Sequence, residues 1–331
     1  MDSLTQITLG IAVAEACAGK QLKNRTFLYG AILGTIPDLD VLVGKFLNPI
    51  DGILIHRGLS HSLLFHLLLT FPLAWLITKI EKGKIALRTL AFMVFLCLFT
   101  HALLDWFTTW GTQLLWPLNN RFSLQSIFVI DPLYTLPLIY FLIRIWRTKD
   151  DSKRRNYVTK GLVISSSYLL LSCVIKLYAL QQFETAAQNQ NIAYSEIIVK
   201  PSPFNLILWN ANINTEEAYL IGDYSLFDSK PISFKTYPKN QQLENQLQGV
   251  TDFEKLKVAS EGWYLITKTN NHLYLNDLRF GLLDDNPEAP KFAFSYQFVQ
   301  GKNGLHAIEA PKDKRDAKAL LSKMTQRIKG N

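Results

Sequence analysis

Cysteine is scarce in this sequence, which has three cysteines among 331 residues. Cys17, Cys97 and Cys173 lie far apart, each within an apolar run, and no Cys-x-x-Cys pair occurs. This spacing argues against a disulfide framework and against a zinc site built from thiolates. We expect the three thiols to be small, buried, apolar side chains, which is the usual role of free cysteine.

Several common catalytic and targeting signatures are also missing. The nucleophile elbow of serine hydrolases, the P-loop and the dinucleotide-binding fingerprint do not occur, so the chemistry attached to each has no support. No basic stretch precedes the first apolar segment and no small-residue cleavage site is evident. We therefore predict no cleaved signal peptide.

The charge and hydropathy of the chain are distributed unevenly. The net charge is +8 and the mean hydropathy is +0.08, but nearly all long apolar runs lie before about residue 180. The basic residues lie between these runs, as in the cytoplasmic loops of membrane proteins, and are not spread like a nucleic-acid-binding face. We therefore expect no direct nucleic-acid binding.

The apolar runs predict a mainly α-helical integral membrane domain of about five to six helices over residues 1–182. A small β-rich soluble domain is predicted over 190–331, because short apolar segments alternate there with Asn, Asp, Gly and Pro. A polar stretch over 181–191 is expected to be a linker or an exposed helix end. The predicted spans are 27–47, 61–78, 90–104, 127–145 and 162–180, with a short packed helix over 4–18. The predicted strands include 196–199, 206–209, 219–221, 264–267 and 292–296, and a basic helix is predicted over 312–329.

The positive-inside rule gives this domain an orientation. Connections 20–25, 79–88 and 144–160 are rich in Lys and Arg and are predicted to be cytoplasmic, whereas 45–60 and 105–126 face outward. The C-terminal domain is then extracytoplasmic. The polar residues that fall on the outer side are Asp38, Asp40, His56, His61, His101, Asp105 and Asp131.

Three polar clusters, each at the end of an apolar run, carry the candidate chemistry. They are PDLD at 37–40, HRGLSH at 56–61 and HALLD at 101–105. An ionisable group at membrane depth is costly, so such groups point to function. His101 and Asp105, four residues apart, share one helix face and can bind one cation. In isolation, such a pair is better explained by a hydrogen-bonded helix end, but the other two clusters on the same side favour a shared metal site.

The neighbouring residues allow several interpretations. His56 and His61 reach one centre only if Gly58 bends the loop between them. Ser60 is a candidate N-cap that places His61 in the first turn of the next helix. Arg57 is either an interfacial cation that extends to the headgroups or a clamp for an anionic oxygen. His66 is expected to be a packed or hydrogen-bonded core histidine, and Asp131-Pro132 a helix start.

A set of His and carboxylate ligands without Cys is typical of a divalent metal ion, with Zn the first choice and Mn or Fe as alternatives. Such a centre activates water near neutral pH, which indicates hydrolysis.

These motifs together resemble a known family. The segments GTIPDLD (34–40), HRGLSHSLL (56–64), HALLDWFTTWGTQLLWP (101–117) and IDPLYTLPL (130–138) are similar to those of the YdjM/YbcI-type bacterial inner-membrane proteins, described as metal-dependent hydrolases. The resemblance covers roughly residues 1–180. It implies a multi-pass protein of the bacterial inner membrane whose motif positions are Asp38, His56, His61, His101 and Asp105.

A more distant resemblance links the same pieces to zinc-dependent phospholipase C, although the chain lacks an obvious full set of the extra His and Glu ligands of those trinuclear enzymes. We assign the five motif positions as metal ligands, and Asp40 and Arg57 as candidate catalytic residues. The expected function is metal-dependent hydrolysis at the outer side of the inner membrane. Membrane lipids are the expected partners, and a phosphoester or lipid is the expected substrate. The alternatives are a non-enzymatic membrane scaffold with a structural cluster and, last, an ion or proton transporter.

Overall fold

A computed structural model describes residues 1–284, 286–288, 290–301, 304–311 and 317–331. It consists of an N-terminal helical region followed by a C-terminal domain of two antiparallel sheets, as the sequence predicts. The helices of the first region are α1 (Ser3–Leu22), α2 (Arg25–Leu33), α3 (Asp40–Gly44), α4 (Pro49–Ile55), α5 (Leu63–Ile80), α6 (Leu87–Trp106), α7 (Pro132–Trp146) and α8 (Asp151–Asn189), with 3-10 turns at Ile36–Leu39 and Leu59–His61.

Three of these helices, α5, α6 and α8, are long and apolar enough to cross a membrane. A fourth span results if α2 and the segment Ile36–Gly44, which meet at a bend of 45°, are counted as one. The predicted span 127–145 corresponds to α7, which has 15 residues and is shorter than the roughly 20 that a membrane helix needs. The predicted packed helix 4–18 corresponds to α1, whose side chains are mostly buried.

The helical unit comprises Met1–Val43, Ile55–Val174 and Pro203–Asn205. Helix α6 lies at its centre and packs against α1 and α5. Its inner face is fully buried because apolar residues recur every three to four positions, as at Leu90, Val94 and Leu98. This packing fixes the C-terminal end of α6, which carries His101 and Asp105.

Glycines allow α1 and α2 to approach each other closely. A Cβ atom at Gly10 would lie 2.3 Å from the carbonyl oxygen of Gly30 and 2.9 Å from the Cα of Gly34. The two backbones are therefore in contact, as at the small-residue crossings of membrane helices.

Two helix starts test the expectations about capping. Asp131 caps α7 by accepting from the backbone N–H of Leu133, with Pro132 in the first helical position, as predicted. The N-cap of α5 is Ser62, which accepts from the N–H of Phe65, so the expectation of a Ser60 cap was wrong. The helix begins two residues later because Leu59–His61 forms a 3-10 turn.

The second unit comprises Gly44–Leu54, Ile175–Ser202 and Leu206–Asn331. Its two sheets have the strand orders β1-β2-β3-β4 and β5-β6-β7-β8, each a meander of antiparallel neighbours. Buried aromatic residues such as Trp209, Tyr237 and Phe253 belong to its core. The strands are β1 (Glu196–Pro201), β2 (Leu208–Asn214), β3 (Ala218–Ser225), β4 (Phe234–Pro238), β5 (Tyr264–Thr269), β6 (His272–Asp284), β7 (Lys291–Gly301) and β8 (Gly304–Glu309), and the helices are α9 (Gln241–Asn245), α10 (Thr251–Ala259) and α11 (Ala317–Ile328).

The polar stretch 181–191 is a helix end, because α8 continues to Asn189. The predicted strand 206–209 begins two residues late, at Leu208. The predicted helix 312–329 corresponds to α11, and positions 312–316 lie outside the described residues.

Candidate metal centre

Three separate segments supply the residues of the candidate centre. Asp38 lies in the 3-10 turn Ile36–Leu39, which forms because Pro37 cannot continue α2. His61 ends the 3-10 turn that precedes α5. His101 and Asp105 lie one turn apart on the last part of α6, on the same face.

The four side chains converge on one point. One ligand atom from each of Asp38, His61, His101 and Asp105 lies within 4.8 Å of the other three. His61 Nε2 lies 3.4 Å from Asp38 Oδ1 and 3.3 Å from Asp105 Oδ2. His101 Nε2 lies 3.4 Å and 3.5 Å from the same two oxygens. Nitrogen and oxygen therefore alternate around a nearly equal-sided group.

These distances fit a metal centre better than a hydrogen-bonded cluster. Charge-assisted N–H···O bonds measure about 2.7–2.9 Å, which is shorter than all four distances. Ligand bonds of about 2.0–2.1 Å in a tetrahedron place neighbouring ligand atoms about 3.3–3.4 Å apart. All four atoms are buried and have no hydrogen-bond partner. Their lone pairs are therefore available to a metal ion.

Hydrogen bonds at the other ring nitrogen orient both histidines. His101 Nδ1 lies 2.7 Å from the carbonyl oxygen of Gly34, to which its N–H donates. His61 Nδ1 lies 2.9 Å from Ser60 Oγ, and that hydroxyl donates to Asp40 Oδ2 at 2.7 Å. Both rings therefore present a neutral Nε2 lone pair to the centre, as metal-binding histidines do. Burial also lowers the pKa of His61 well below its ordinary value, which favours the neutral ring.

Asp40 does not face the four-atom group, although the sequence makes it a candidate catalytic residue. Its Oδ2 accepts from the backbone N–H of Arg57 at 2.8 Å as well as from Ser60, and its Oδ1 lies 3.0 Å from His56 Nδ1. The carboxylate holds the loop that carries His61. Its role in the structure is to position that loop.

The structure does not bring His56 into the group, although the sequence assigns it as a ligand. Its Nδ1 is taken by Asp40, and its ring centre lies 6.2 Å from that of His61. The loop bends at Arg57, which has a positive φ of 57°, whereas Gly58 has a φ of −87°. The condition for both histidines to reach one centre is therefore not met, and His61 alone belongs to the group.

Arg57 is buried beside Asp105 of the four-residue group. Its Nη2 lies 3.2 Å from Asp105 Oδ1, and its Nη1 donates to Thr108 Oγ1 at 3.0 Å. With 5% of its surface exposed, it does not extend to the headgroups, so that alternative was wrong. Burial lowers the pKa of Arg57 to about 10, and Asp38 and Asp40 oppose this shift, so the side chain stays cationic at neutral pH.

Other residues near the centre complete its surroundings. His66 is buried and its Nε2 lies 3.1 Å from the carbonyl oxygen of Ser60, which confirms a hydrogen-bonded core histidine. Asp131 binds the hydroxyl of Tyr168 at 2.9 Å and lies outside the four-residue group. The Met1 amino group contacts Asp105 Oδ1. Sequence reasoning missed the roles of Ser60, Gly34 and Thr108, and only the position of Ser60 beside His61 gave a signal.

The similarity to known proteins covers the helical region. The chain is similar to the inner membrane protein YbcI of Escherichia coli (strain K12), with 27% identity over 156 residues that cover 43% of this chain and 89% of that protein. No solved structure matches. The match to YbcI and the apolar helices support an inner membrane location. The family model described as the YdjM inner membrane protein matches residues 1–182, more than half of the chain, which therefore belongs to the YdjM family.

Proposed function

We propose that this protein is a membrane-bound, metal-dependent hydrolase of phosphoesters, with its centre at the outer side of the inner membrane. The observation that carries the proposal is the group of four buried ligand atoms without hydrogen-bond partners, in which each nitrogen lies 3.3–3.5 Å from both oxygens. Buried polar atoms without partners are costly. A bound cation removes that cost.

The ligands favour zinc among the divalent metals. Two imidazole nitrogens and two carboxylate oxygens are ligand types that suit Zn²⁺, whereas Mg²⁺ and Ca²⁺ prefer six or more oxygen ligands. Mn and Fe accept the same donor types and are distinguished by metal analysis. Zinc at such a site supplies Lewis acidity, which polarises a phosphoryl oxygen and makes water a better nucleophile near neutral pH.

The remaining residues suit an anionic substrate. The Asp38 side chain is 22% exposed, whereas His61, His101 and Asp105 are almost completely buried, so the centre is reached from the side of Asp38. Arg57 provides a fixed positive charge beside Asp105, and its Nε has no hydrogen-bond partner. A guanidinium held in this way can bind a phosphoryl oxygen and stabilise charge that develops on it.

A structural metal site is the second candidate. A set of four protein ligands is typical of structural zinc sites, whereas catalytic sites keep one position open. In a scaffold of this kind the metal would join α6 to the segments that carry Asp38 and His61. The hydrolase and the structural site both require a bound metal, but only the hydrolase converts a substrate.

The first prediction is that wild-type protein purified in detergent carries about one zinc ion per chain. His101→Ala and Asp105→Asn should each lower the metal content at least about tenfold, because each removes a ligand. The measurement is elemental analysis by mass spectrometry, with folding checked by circular dichroism and gel filtration. His66→Gln is the matched control, since it is a buried histidine outside the group and the amide can still donate to Ser60.

Hydrolysis assays distinguish the hydrolase from the structural metal site. We expect wild-type protein to cleave bis(p-nitrophenyl) phosphate or NBD-labelled phosphatidylglycerol, and Arg57→Gln to keep the metal but hydrolyse the anionic substrate more slowly. Full metal content with no hydrolysis of either substrate would favour the structural site. Full metal content in Asp105→Asn would contradict metal binding at this group.

A further inference from the structure

A cavity lies at the end of the helical unit that is remote from the candidate metal centre. It has a volume of about 780 Å³ and is bordered by the α1–α2 and α5–α6 connections. From Leu87 to Asp105, α6 rises about 27 Å at 1.5 Å per residue. This is close to the thickness of the hydrocarbon core, so in a bilayer that α6 crosses the cavity and the centre would lie near opposite surfaces. The residues that line it are Gln21, Leu22, Lys23, Asn24, Arg25, Leu28, Glu81, Lys84 and Ile85.

The charged residues of the cavity leave an excess of positive charge. Arg25 pairs with Glu81, and the hydroxyl of Tyr29 donates to the same carboxylate at 2.6 Å. Lys23 pairs with Asp151. Among the residues that the structure describes, no carboxylate pairs with Lys84. A guanidinium has five N–H donors, and the Arg25 side chain is 66% exposed, so part of it stays available.

The cavity also has apolar walls. Leu22 and Ile85 are buried in its floor, and the Leu28 side chain is 60% exposed. The neighbouring helices α5 and α6 are both long and apolar enough to cross a membrane. Cations beside exposed apolar side chains at the end of membrane helices match the chemistry of an anionic lipid, which has a phosphate next to acyl chains.

We propose that this cavity binds the phosphate headgroup of an anionic phospholipid. Lys84 and the free edge of Arg25 face the phosphate oxygens, and the acyl chains run along Leu28. A free phosphate ion shares the ionic contacts, but it makes no use of the apolar wall. This site lies apart from the metal centre, and the proposal does not depend on hydrolysis.

The test is native mass spectrometry of the full-length protein in detergent, where the result does not depend on membrane orientation. The probes are phosphatidylglycerol, phosphatidylcholine and inorganic phosphate. We expect tighter binding of phosphatidylglycerol than of phosphatidylcholine. Lys84→Gln should weaken phosphatidylglycerol binding about fivefold, the ratio that corresponds to ~1 kcal/mol per cation near the membrane. Lys84 is exposed and its replacement leaves no buried group unpaired, so the variant should fold.

Lys153→Gln is the matched control, because Lys153 is an exposed lysine in the first turn of α8, two residues from Asp151, and does not line the cavity. It should leave binding unchanged. Equal binding of the two lipids, or an equal loss in both variants, would show only the general attraction of a basic surface and overturn the proposal. Displacement of phosphatidylglycerol by stoichiometric inorganic phosphate would identify a free-phosphate site instead.

Discussion

Ser60 and Asp40 do not contribute to the four-atom group, yet they decide which way His61 faces. Ser60 Oγ accepts from His61 and donates to Asp40, and this chain of two hydrogen bonds holds Nε2 towards the centre. Partners of this kind fix the tautomer and the ring orientation of metal-binding histidines.

We therefore predict that Ser60→Ala lowers zinc affinity about 10–100-fold, the usual effect of losing such a partner, although all four ligands remain. Competition with a fluorescent zinc chelator measures the change. Ser62→Ala is the control, because Ser62 caps α5 and does not contact a ligand nitrogen in the described hydrogen bonds. Equal affinities in wild type and Ser60→Ala would remove Ser60 from the centre.

The sequence predicted the ligand residues of α6 more reliably than those of the loops. His101 and Asp105 share a face because the helical period places residues four apart side by side. Spacing could not separate His56 from His61, since their directions depend on a positive φ at Arg57. A positive φ is uncommon at arginine, so nothing in the sequence signalled this backbone conformation. The position of Asp40, two residues from Asp38, likewise gave no sign that it holds the loop.

At the scale of elements, the crossing of α1 and α2 positions the carbonyl group that orients His101. Gly34 follows α2 and accepts from His101 Nδ1, while Gly10 of α1 lies against both Gly30 and Gly34. Any side chain at Gly10 must displace backbone atoms of the segment that leads to Asp38. The packing of two helices and the geometry of the centre are therefore coupled.

Gly10→Ala should destabilise the protein by about 1–3 kcal/mol, the usual cost of overpacking, and should reduce its metal content. The added Cβ would lie 2.3 Å from the Gly30 carbonyl oxygen, so the backbone has to move. Thermal unfolding in detergent and elemental analysis measure the two effects. In Gly161→Ala, the control, the added Cβ meets only side-chain atoms of Phe141 at 3.3 Å and beyond, so both quantities should stay near the wild-type values.

Hydropathy predicted the apolar cores of the elements but not their ends. The run 162–180 indicated a span, whereas α8 extends from Asp151 to Asn189, because polar helix formers continue a helix without raising its hydropathy. Strands β1, β3, β5 and β7 coincide with predicted apolar segments. Strands β4, β6 and β8 were not among the predicted segments. Strands β4 and β8 are short and mostly exposed, which leaves few apolar residues to detect. Strand β6 is long, but polar residues such as Asp277 and Arg279 interrupt its apolar pattern.

At the scale of the whole molecule, the distribution of charge predicts an orientation of the protein in the membrane. The basic connections 20–25, 79–88 and 144–160 favour the cytoplasmic side, and the candidate centre lies at the opposite end of α6. In this orientation, the proposed hydrolase would act on substrates outside the cytoplasm and the proposed lipid site would face the inner leaflet. The orientation therefore decides which compartment supplies the substrate and which leaflet supplies the lipid.

Helix α8 allows the orientation to be measured at its two ends. Its 39 residues extend about 58 Å, nearly twice the hydrocarbon core of ~30 Å, so both ends emerge from the bilayer. Lys153 and Asn189 are exposed near these ends.

In a variant without native cysteines, Asn189→Cys should react with a membrane-impermeant maleimide added to spheroplasts, and Lys153→Cys should react only after the membrane is opened. Labelling of Lys153→Cys alone from outside would place the metal centre in the cytoplasm, where a soluble phosphoester becomes the better substrate candidate. Equal labelling of both variants before and after opening would show that α8 does not cross the membrane.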